Sequence, residues 1–465
     1  MENKNKNIKT DQSEEEDRIS NLPDPILVDI LSLLETKYAV RTSALSTKWR
    51  QLWTFVPNLV FDLRDMYPEN ASLLRTIFFI NKLLVFQDSP PRIQKFSFTC
   101  GHVQWRIVAD FFHAWMAAIL GGSGGVQVLH IDVPVCLNLP PEFFTCETLV
   151  DLRLGGDGWY FSRVVLQLPQ HVHFPNLKRL YLEVYTPTED LTTRFFKSCP
   201  VLESLTIDAL LVIDWYREVT FNIFVETLKE LKIVLRAHQS GDSKHTVLVD
   251  APILEEISIE DNLLACYSFR NLSSLIRAYI DVGESFKGAL GKDCSGFLFE
   301  LLKGVSDARY LQLSDHTMRA LGSAGNGGLY VFPNLTQAEL GVTCSSRLLD
   351  LLEKMPQLGS LRLKMKDEGA RPNKINKAFG LKIGDHRELP GCLLTHLKLI
   401  EVKGFKGREG EQQLVKYFLK NAKVLDEIEI MCEDLASEEL RELQFKLKKF
   451  SGFRRLVKVS FLDNR

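Results

Sequence analysis

The residues of this chain that could do covalent or metal chemistry stand in patterns that support neither. Residues 121–125 read GGSGG, but the Gly-Lys-Ser/Thr sequence that a phosphate-binding loop needs does not follow. His171 and His173 have no cysteine or carboxylate at metal-ligand spacing beside them. The nine cysteines are scattered without a C-x-x-C pair, which is typical of buried thiols in a reducing compartment. The sequence therefore predicts no catalytic site, no metal and no cofactor.

The chemistry that does recur along the chain is that of a protein-binding surface. A motif L-x-x-L-x-L, in which Ile, Val, Phe or Ala replaces some leucines, returns eleven times at separations of 21 to 33 residues. The residues beside its second leucine point away from the core, because alternate residues of a strand face opposite sides. Tyr and Arg recur there, and both are favoured at the centres of protein interfaces. The alternative is a solvated face that binds nothing at most of these positions. The residues predicted to contact a partner protein are Arg153, Arg179, Tyr181, Lys232, Arg277, Tyr279, Tyr310 and Arg362.

The elements that must position these residues are short strands. Each repeat supplies one strand and a returning helix or loop, and stacked repeats share a core that a single repeat cannot close. A proline often precedes the strand, as at Pro175 and Pro333, because it cannot continue a helix into it. The pattern predicts an α/β fold, a curved solenoid of leucine-rich repeats with a parallel β-sheet on its concave face. The irregular spacing leaves open an unrelated α/β fold with recurring buried strands. The motif begins at Ile93, Val126, Leu149, Leu177, Leu202, Leu228, Leu254, Leu275, Ala308, Leu335 and Leu358.

Residues 17–55 carry a different pattern, that of three short amphipathic helices. Asp24 stands at the predicted N-cap of the first helix with Pro25 at its first position, and Thr36 is predicted to cap the second helix. A segment this small cannot close a core of its own, so its surplus apolar face is predicted to bind another molecule. The apolar residues of this face are Leu22, Pro23, Ile26, Leu27, Ile30, Leu31, Leu34, Val40, Leu45, Trp49, Leu52 and Trp53.

The successive segments LPDPILVDILSLL, TKYAVRTSALS and KWRQLW resemble the F-box. The F-box is the motif that joins a substrate receptor to the Skp-type adaptor of a cullin–RING ubiquitin ligase. Pro25 and Glu35 depart from the usual pattern, but neither removes an apolar residue of the face. The resemblance implies that the apolar residues just named contact the adaptor. The alternative is an ordinary helical hairpin that covers the next domain.

Residues 389–432 resemble the FBD domain found at the end of many plant F-box proteins. The resemblance rests on residues 393–397, on the turn VKGFKG at 402–407 and on LVKYFL at 414–419. LTHLKL at Leu394 and LDEIEI at Leu425 are predicted to continue the repeat in the same register. A helix over residues 437–450 and a strand from Leu456 are predicted to cap the solenoid. The whole pattern resembles the plant F-box/FBD/LRR-repeat proteins.

This resemblance implies an order of domains and a function. We expect a disordered polar segment over 1–16, a three-helix F-box over 17–60, the leucine-rich-repeat solenoid over 61–385 and an FBD-like α/β cap over 386–465. The implied function is that of a non-catalytic substrate-recognition subunit of an SCF-type (Skp–cullin–F-box) ubiquitin ligase. The implied partners are the Skp-type adaptor, the cullin and RING subunits reached through it, and an unidentified client protein.

Composition sets limits on partners and location. The net charge of −2 argues against a nucleic-acid binder, which normally shows a strong basic bias. The polar, charged start of the chain is not that of a signal peptide. The most apolar stretch, residues 107–120, is too short for a membrane span and contains Asp110 and His113. We therefore expect no nucleic acid, no membrane, and a location in the nucleus, the cytoplasm or both.

Two further functions stay open at the level of sequence. One is a receptor in which a small molecule bridges the repeats and the client, in a pocket rimmed by Arg179, Tyr181, Arg277 and Tyr279. The other is a repeat scaffold that binds the adaptor with no consequence for ubiquitination. Capture of a client only in the presence of a small molecule would separate the first from the ligase subunit.

Overall fold

The computed structural model describes residues 19–64, 71–85, 92–121, 125–133, 139–156, 168–185, 191–211, 220–237, 245–262, 265–283, 294–324, 328–342, 347–366, 389–433 and 456–461. The segment predicted to be disordered (1–16) and the helix predicted over 437–450 lie outside these residues. The chain divides into two compact units, Met1–Ile131 and Asp132–Arg465. Each unit has its own helices and strands.

Three short helices open the first unit, namely α1 (Asp24–Ser32), α2 (Thr36–Arg41) and α3 (Trp49–Leu52). Single 3-10 turns at Thr42–Ala44 and Trp53–Phe55 follow α2 and α3. The prediction of three amphipathic helices in this segment is confirmed. They share a buried core that consists of Leu27, Leu31, Ala39, Trp49, Leu52 and Val56.

The starts of α1 and α2 differ from the sequence prediction. Asp24 lies inside the first turn of α1, and the cap position is Pro23, which makes no side-chain cap hydrogen bond. The Asp24 carboxylate instead stands near the positive end of the helix dipole and 3.4 Å from Lys48 Nζ. Thr36 is likewise the first residue of α2, and its Oγ1 accepts a hydrogen bond from the backbone N–H of Val60 at 2.7 Å. Both predicted caps were wrong by one residue, because each side chain has a tertiary partner.

The remainder of the first unit is built from strands and two longer helices. Strand β1 (Asn58–Asp62) pairs in parallel with β2 (Lys95–Thr99), and β3 (Val128–Asp132) follows β2 in the sheet order. Helix α4 (Ala71–Leu84) lies between β1 and β2 in the chain, and α5 (His102–Gly121) lies between β2 and β3. The strands predicted at Ile93 and Val126 are confirmed. The predicted repeats did not include β1, although Val56, Leu59 and Phe61 have the spacing of the motif. Leu59 and Phe61 pair with Phe96 and Phe98 of β2.

The second unit is organised around a parallel sheet whose strands follow the repeats. The predicted strands from Leu149 to Leu358 are all confirmed, and each pairs with the strand of the next repeat in the same register. Three more strands continue the sheet to its C-terminal end. The strands are β4 (Asp151–Gly155), β5 (Arg179–Tyr185), β6 (Ser204–Leu211), β8 (Glu230–Ala237), β10 (Glu256–Asp261), β12 (Arg277–Val282), β13 (Tyr310–Leu313), β14 (Gln337–Val342), β15 (Ser360–Met365), β16 (Leu399–Phe405), β17 (Glu427–Cys432) and β18 (Leu456–Phe461).

The core of the second unit lies on the side of the sheet that carries the repeat leucines. Leu180, Leu205 and Leu231 occupy equivalent positions on neighbouring strands and are at most 2% exposed. Phenylalanines of the return segments extend this core, with the ring centroid of Phe174 5.7 Å from Phe143 and 5.4 Å from Phe195. The return helices are α6 (Cys294–Gly304), α7 (Asp315–Ser323), α8 (Leu348–Glu353), α9 (Gly391–Thr395) and α10 (Glu409–Asn421).

Three return segments are strands rather than helices. They are β7 (Thr220–Phe224), β9 (Thr246–Asp250) and β11 (Cys266–Arg270), and they form a separate parallel sheet in the order β11-β9-β7. Burial alternates along β7 and β9, where Phe221, Ile223, Val247 and Val249 are the buried residues. This alternation is typical of a strand with one covered side. The predicted repeats did not include these strands, because the motif was assigned only to strands of the main sheet.

The repeat frame at the C-terminal end differs from the prediction. Ile400, and not Leu397, is the partner of Leu361 in β15, so the repeat begins at Leu397 rather than at Leu394. The predicted turn at 402–407 is partly strand, because β16 runs to Phe405 and its register shifts at Gly404. Gly404 has φ +72°, and a Cβ there would lie 2.5 Å from the carbonyl oxygen of Met365. The predicted strands at Leu425 and Leu456 are confirmed as β17 and β18.

Candidate partner-binding surfaces

The N-terminal helices divide their apolar residues between a core and a surface. Leu27 and Leu31 are fully buried, and Trp49 and Leu52 are at most 5% exposed. Trp49 also donates its indole N–H to Ser20 Oγ at 2.9 Å. These four residues hold the helices together and present no surface to a partner. Their role as direct adaptor contacts stays a prediction, and the structure places all four in the core that the helices share.

The exposed apolar residues form what we call the N-terminal apolar surface. Ile26, Ile30 and Leu34 project from α1 and the turn after it at helical spacing and are 38–45% exposed. Leu45 is 68% exposed, whereas Leu22 and Trp53 are partly buried against the core. Pro23 is exposed and Val40 is half-buried. Sequence reasoning missed other members, which are Ile19, Leu33, Tyr38 and Phe55.

Lys48 connects the chain before α1 to the start of α3. Its Nζ donates to the carbonyl oxygens of Ser20 at 2.7 Å and Leu22 at 2.8 Å, and it faces the Asp24 carboxylate. These contacts hold the chain before α1 against the start of α3. Charge-assisted hydrogen bonds of this kind are stronger than neutral ones. Lys48 therefore fixes the position of the N-terminal apolar surface without belonging to it.

The second candidate surface is the side of the second unit's sheet that faces away from the core. We call it the polar face. All eight residues predicted to contact a partner lie on it, in two adjacent rows of the register. Arg153, Tyr181, Lys232, Tyr279 and Arg362 share one row, and Arg179, Arg277 and Tyr310 share the other.

The cations of the polar face are held by carboxylates on neighbouring strands. Arg179 Nε lies 2.8 Å from Asp151, and Arg277 Nε lies 2.6 Å from Glu256. Lys232 Nζ lies 2.5 Å from Glu260 on β10. Exposed pairs of this type add at most about 1 kcal/mol each, so their main effect is to orient the side chains. The face consequently presents few uncompensated charges.

Arg153 has two partners on the polar face. Its Nε lies 3.0 Å from Asp132, and its guanidinium lies 3.9 Å from the centre of the Tyr181 ring. This stacking orients the ring of Tyr181, which is half-buried. A partner would meet Arg153 and Tyr181 as a single preformed pair.

Arg362 joins three strands near the C-terminal end of the polar face. It lies 2.9 Å from Glu339 on β14 and 2.7 Å from Glu401 on β16, and Lys364 also contacts Glu339. Burial raises the pKa of Glu339, but the hydrogen bonds and charges of Lys364 and Arg362 outweigh it and leave the pKa below 4.5. The same carboxylates raise the pKa of the Arg362 guanidinium. Arg362 therefore stabilises the sheet in the free protein.

Tyr279 and Tyr310 form an aromatic pair at the middle of the polar face. Their ring centroids are 5.5 Å apart, and Tyr310 donates its hydroxyl to Gln312 at 3.3 Å. Burial, followed by the charge of Glu339, raises the pKa of Tyr310 to about 12. The hydroxyl consequently remains protonated and can donate. A cavity of about 390 Å³ lies beside Tyr279, over β6, β8 and β10.

The described part of the chain contains neither a metal-ligand cluster nor a helix that could span a membrane. Among those residues, no three His, Cys, Asp or Glu side chains are grouped as metal ligands. No helix within the same residues has both the length and the apolar character to cross a membrane.

Comparison with known proteins identifies the modules of the chain. The F-box domain family matches residues 19–61. The LRR repeats of FBD-associated F-box protein At5g56370 match residues 122–278, and the FBD family matches residues 385–430. F-box helices, a parallel repeat sheet and a C-terminal FBD unit together define an F-box protein with leucine-rich repeats.

Relatives extend over most of the chain. The F-box/FBD/LRR-repeat protein At5g22660 of Arabidopsis thaliana is 31% identical over 453 residues, which cover 92% of this chain and 92% of the relative. The putative F-box/FBD/LRR-repeat protein At5g44950 of the same plant is 30% identical, over 90% of this chain and 93% of the relative. This chain belongs to the F-box/FBD/LRR-repeat family.

Proposed function

We propose that this chain is the substrate-recognition subunit of an SCF-type ubiquitin ligase. The N-terminal apolar surface carries the proposal, because it exposes large aliphatic and aromatic side chains on helices that also bury a core of their own. Ile26, Ile30, Leu34 and Leu45 are its predicted anchors for a Skp-type adaptor, to which we add Leu33. Solvent-exposed apolar clusters of this kind mark interaction sites.

The second unit supplies the other half of the proposed function. The polar face combines tyrosines with oriented arginines, and these are the side chains that dominate protein interfaces. We propose that it binds a client protein, and that the adaptor connects it to the cullin and RING subunits. The ligase then holds client lysines near activated ubiquitin at high effective concentration. In this mechanism the chain makes and breaks no covalent bond.

The small-molecule receptor is supported less well. The pocket considered for it needs free arginines, but Arg179 and Arg277 are already paired with Asp151 and Glu256. An anionic ligand would have to displace these carboxylates. We therefore propose direct client binding.

A titration of purified Skp-type adaptor into the full chain tests the adaptor half of the proposal. Ile26→Glu places a charge on the N-terminal apolar surface and should abolish measurable binding by isothermal calorimetry, with thermal unfolding unchanged. Val201→Glu is the matched control, since Val201 is an exposed apolar residue of the second unit. Equal adaptor binding by the wild type and the folded Ile26→Glu variant would refute the proposal.

A further inference from the structure

The cavity on the polar face has a floor of small hydroxyl side chains. Ser204 and Thr206 of β6 and Ser258 of β10 line it. Within the described residues, none of the three hydroxyls has a hydrogen-bond partner in the protein. A segment lying across them could therefore exchange hydrogen bonds with all three.

The wall of the cavity carries an unbalanced negative charge. Glu230 and Glu256 occupy neighbouring register positions on β8 and β10 and both line the cavity. Glu256 is paired with Arg277, but Glu230 is exposed and has no ion pair in the described part of the chain. The one cation among the lining residues, Lys232, is neutralised by Glu260. The cavity thus offers one carboxylate that is free to pair with a ligand cation.

Tyr279 is the one aromatic residue among those that line the cavity. Its position is held by the contact with Tyr310. A cation placed over a tyrosine ring gains about 0.5–1 kcal/mol at an exposed site and more where water is excluded. A free carboxylate and an aromatic ring in one cavity suit the side chain of arginine or lysine, which has a charged end and an apolar stem.

We infer that this cavity binds an arginine or lysine side chain of an extended client segment, with Glu230 as its ion-pair partner and Tyr279 against its stem. The inference rests on the proposed client-binding function and adds the chemistry of the client. The position of the cavity on a continuous strand surface favours a protein segment over a small amine. The volume of about 390 Å³ is in the lower part of the roughly 300–1,000 Å³ range of ligand sites and is adequate for one long side chain with its neighbours.

A phage library of random dodecapeptides, selected against the purified full chain, tests the inference without knowledge of the client. The selected peptides should be enriched in Arg or Lys at one position. Synthetic versions should bind the Glu230→Lys variant roughly tenfold more weakly or worse, because like charges then face each other. Replacement of the enriched residue by norleucine should have a similar effect, and binding should weaken at high salt.

The matched control is Glu429→Lys, which makes the same charge change on the same face but on β17, away from the cavity. It should leave peptide binding unchanged. Selection of peptides without a basic residue, equal loss in both variants, selection of none, or inhibition by free butylamine as strong as by the peptide would each overturn the inference. Adaptor titration of the Glu230→Lys variant is a separate readout. Normal adaptor binding with no basic preference would refute the client chemistry alone, and lost adaptor binding by the wild type would refute the proposed function.

Discussion

Ile30 and Leu31 are adjacent in α1, and substitution of each tests a different property of the N-terminal helices. Leu31 is fully buried in their core, whereas Ile30 is 39% exposed on the N-terminal apolar surface. Alanine at either position removes a similar volume and is favourable in a helix. The two variants therefore separate the contribution of α1 to folding from its contribution to adaptor binding.

The expected magnitudes follow from the two exposures. Leu31→Ala opens a cavity in the core and should lower the free energy of unfolding by about 2–5 kcal/mol. Ile30→Ala should lower it by about 1 kcal/mol or less, since the site is near the surface. The exposed part of Ile30 amounts to roughly 70 Å², and its burial under the adaptor at about 25 cal/mol per Å² is worth roughly 1.5–2 kcal/mol. That loss weakens adaptor binding by roughly tenfold to thirtyfold.

The assay combines thermal unfolding, followed by circular dichroism, with calorimetric titration of a purified Skp-type adaptor at a temperature where both variants are folded. Leu31→Ala should show the larger loss of stability and Ile30→Ala the larger loss of affinity. The division of α1 into a core side and a binding side is wrong if Ile30→Ala leaves affinity unchanged while Leu31→Ala leaves stability unchanged.

Three other predictions concern the sheet and its core. Gly341→Ala should lower the free energy of unfolding by roughly 1–3 kcal/mol, because its Cβ would lie 2.3 Å from a backbone nitrogen of α7. Gly322→Ala, which meets no atom within 4 Å in α7, should raise it by about 0.4–1 kcal/mol, and thermal unfolding compares the two signs. The lowered pKa of Glu339 means that its ion pairs stabilise the fold above pH 4.5 and are lost as the pH falls through the lowered pKa. The urea midpoint of the wild type should therefore fall more steeply below pH 4.5 than that of Glu339→Gln, and parallel curves would contradict this. Burial raises the pKa of Cys199 to about 12, so iodoacetamide at pH 8 should spare it while modifying the partly exposed Cys146, as mass spectrometry of peptides will show. Equal modification of both would mean that the core around Cys199 opens readily.

The repeat strands could be predicted from the sequence because their buried residues recur at regular positions. A leucine that returns at fixed positions of a strand reports burial directly, and Leu180, Leu205 and Leu231 behave accordingly. The predicted start of the repeat at Leu394 was wrong, because closely spaced leucines there fit the motif in more than one register. Only pairing with Leu361 settles that choice, and pairing is a tertiary property.

The binding surfaces could be predicted only in part. The spacing of apolar residues predicts that α1 has an apolar side. It does not predict that Leu31 is buried while Ile30 is exposed, since both lie on this one broad side. The three-dimensional packing of Trp49 and Leu52 decides which side is covered. On the polar face, alternation placed Arg277 and Lys232 on the correct side, but their carboxylate partners come from neighbouring repeats. These partners are far apart in the sequence, so the ion pairs could not be predicted from it. For the same reason the sequence could not show that the carboxylate of Glu230 has no such partner.

We propose that the N-terminal apolar surface connects this chain to a ligase through a Skp-type adaptor. The most direct test is affinity capture from plant extract with the tagged full chain and with its Ile26→Glu/Ile30→Glu/Leu34→Glu variant, followed by quantitative mass spectrometry. We expect the wild type to recover a Skp-type adaptor and a cullin, and the folded variant to recover neither. Recovery of equal amounts by both, or failure of the folded wild type to recover an adaptor, would contradict it.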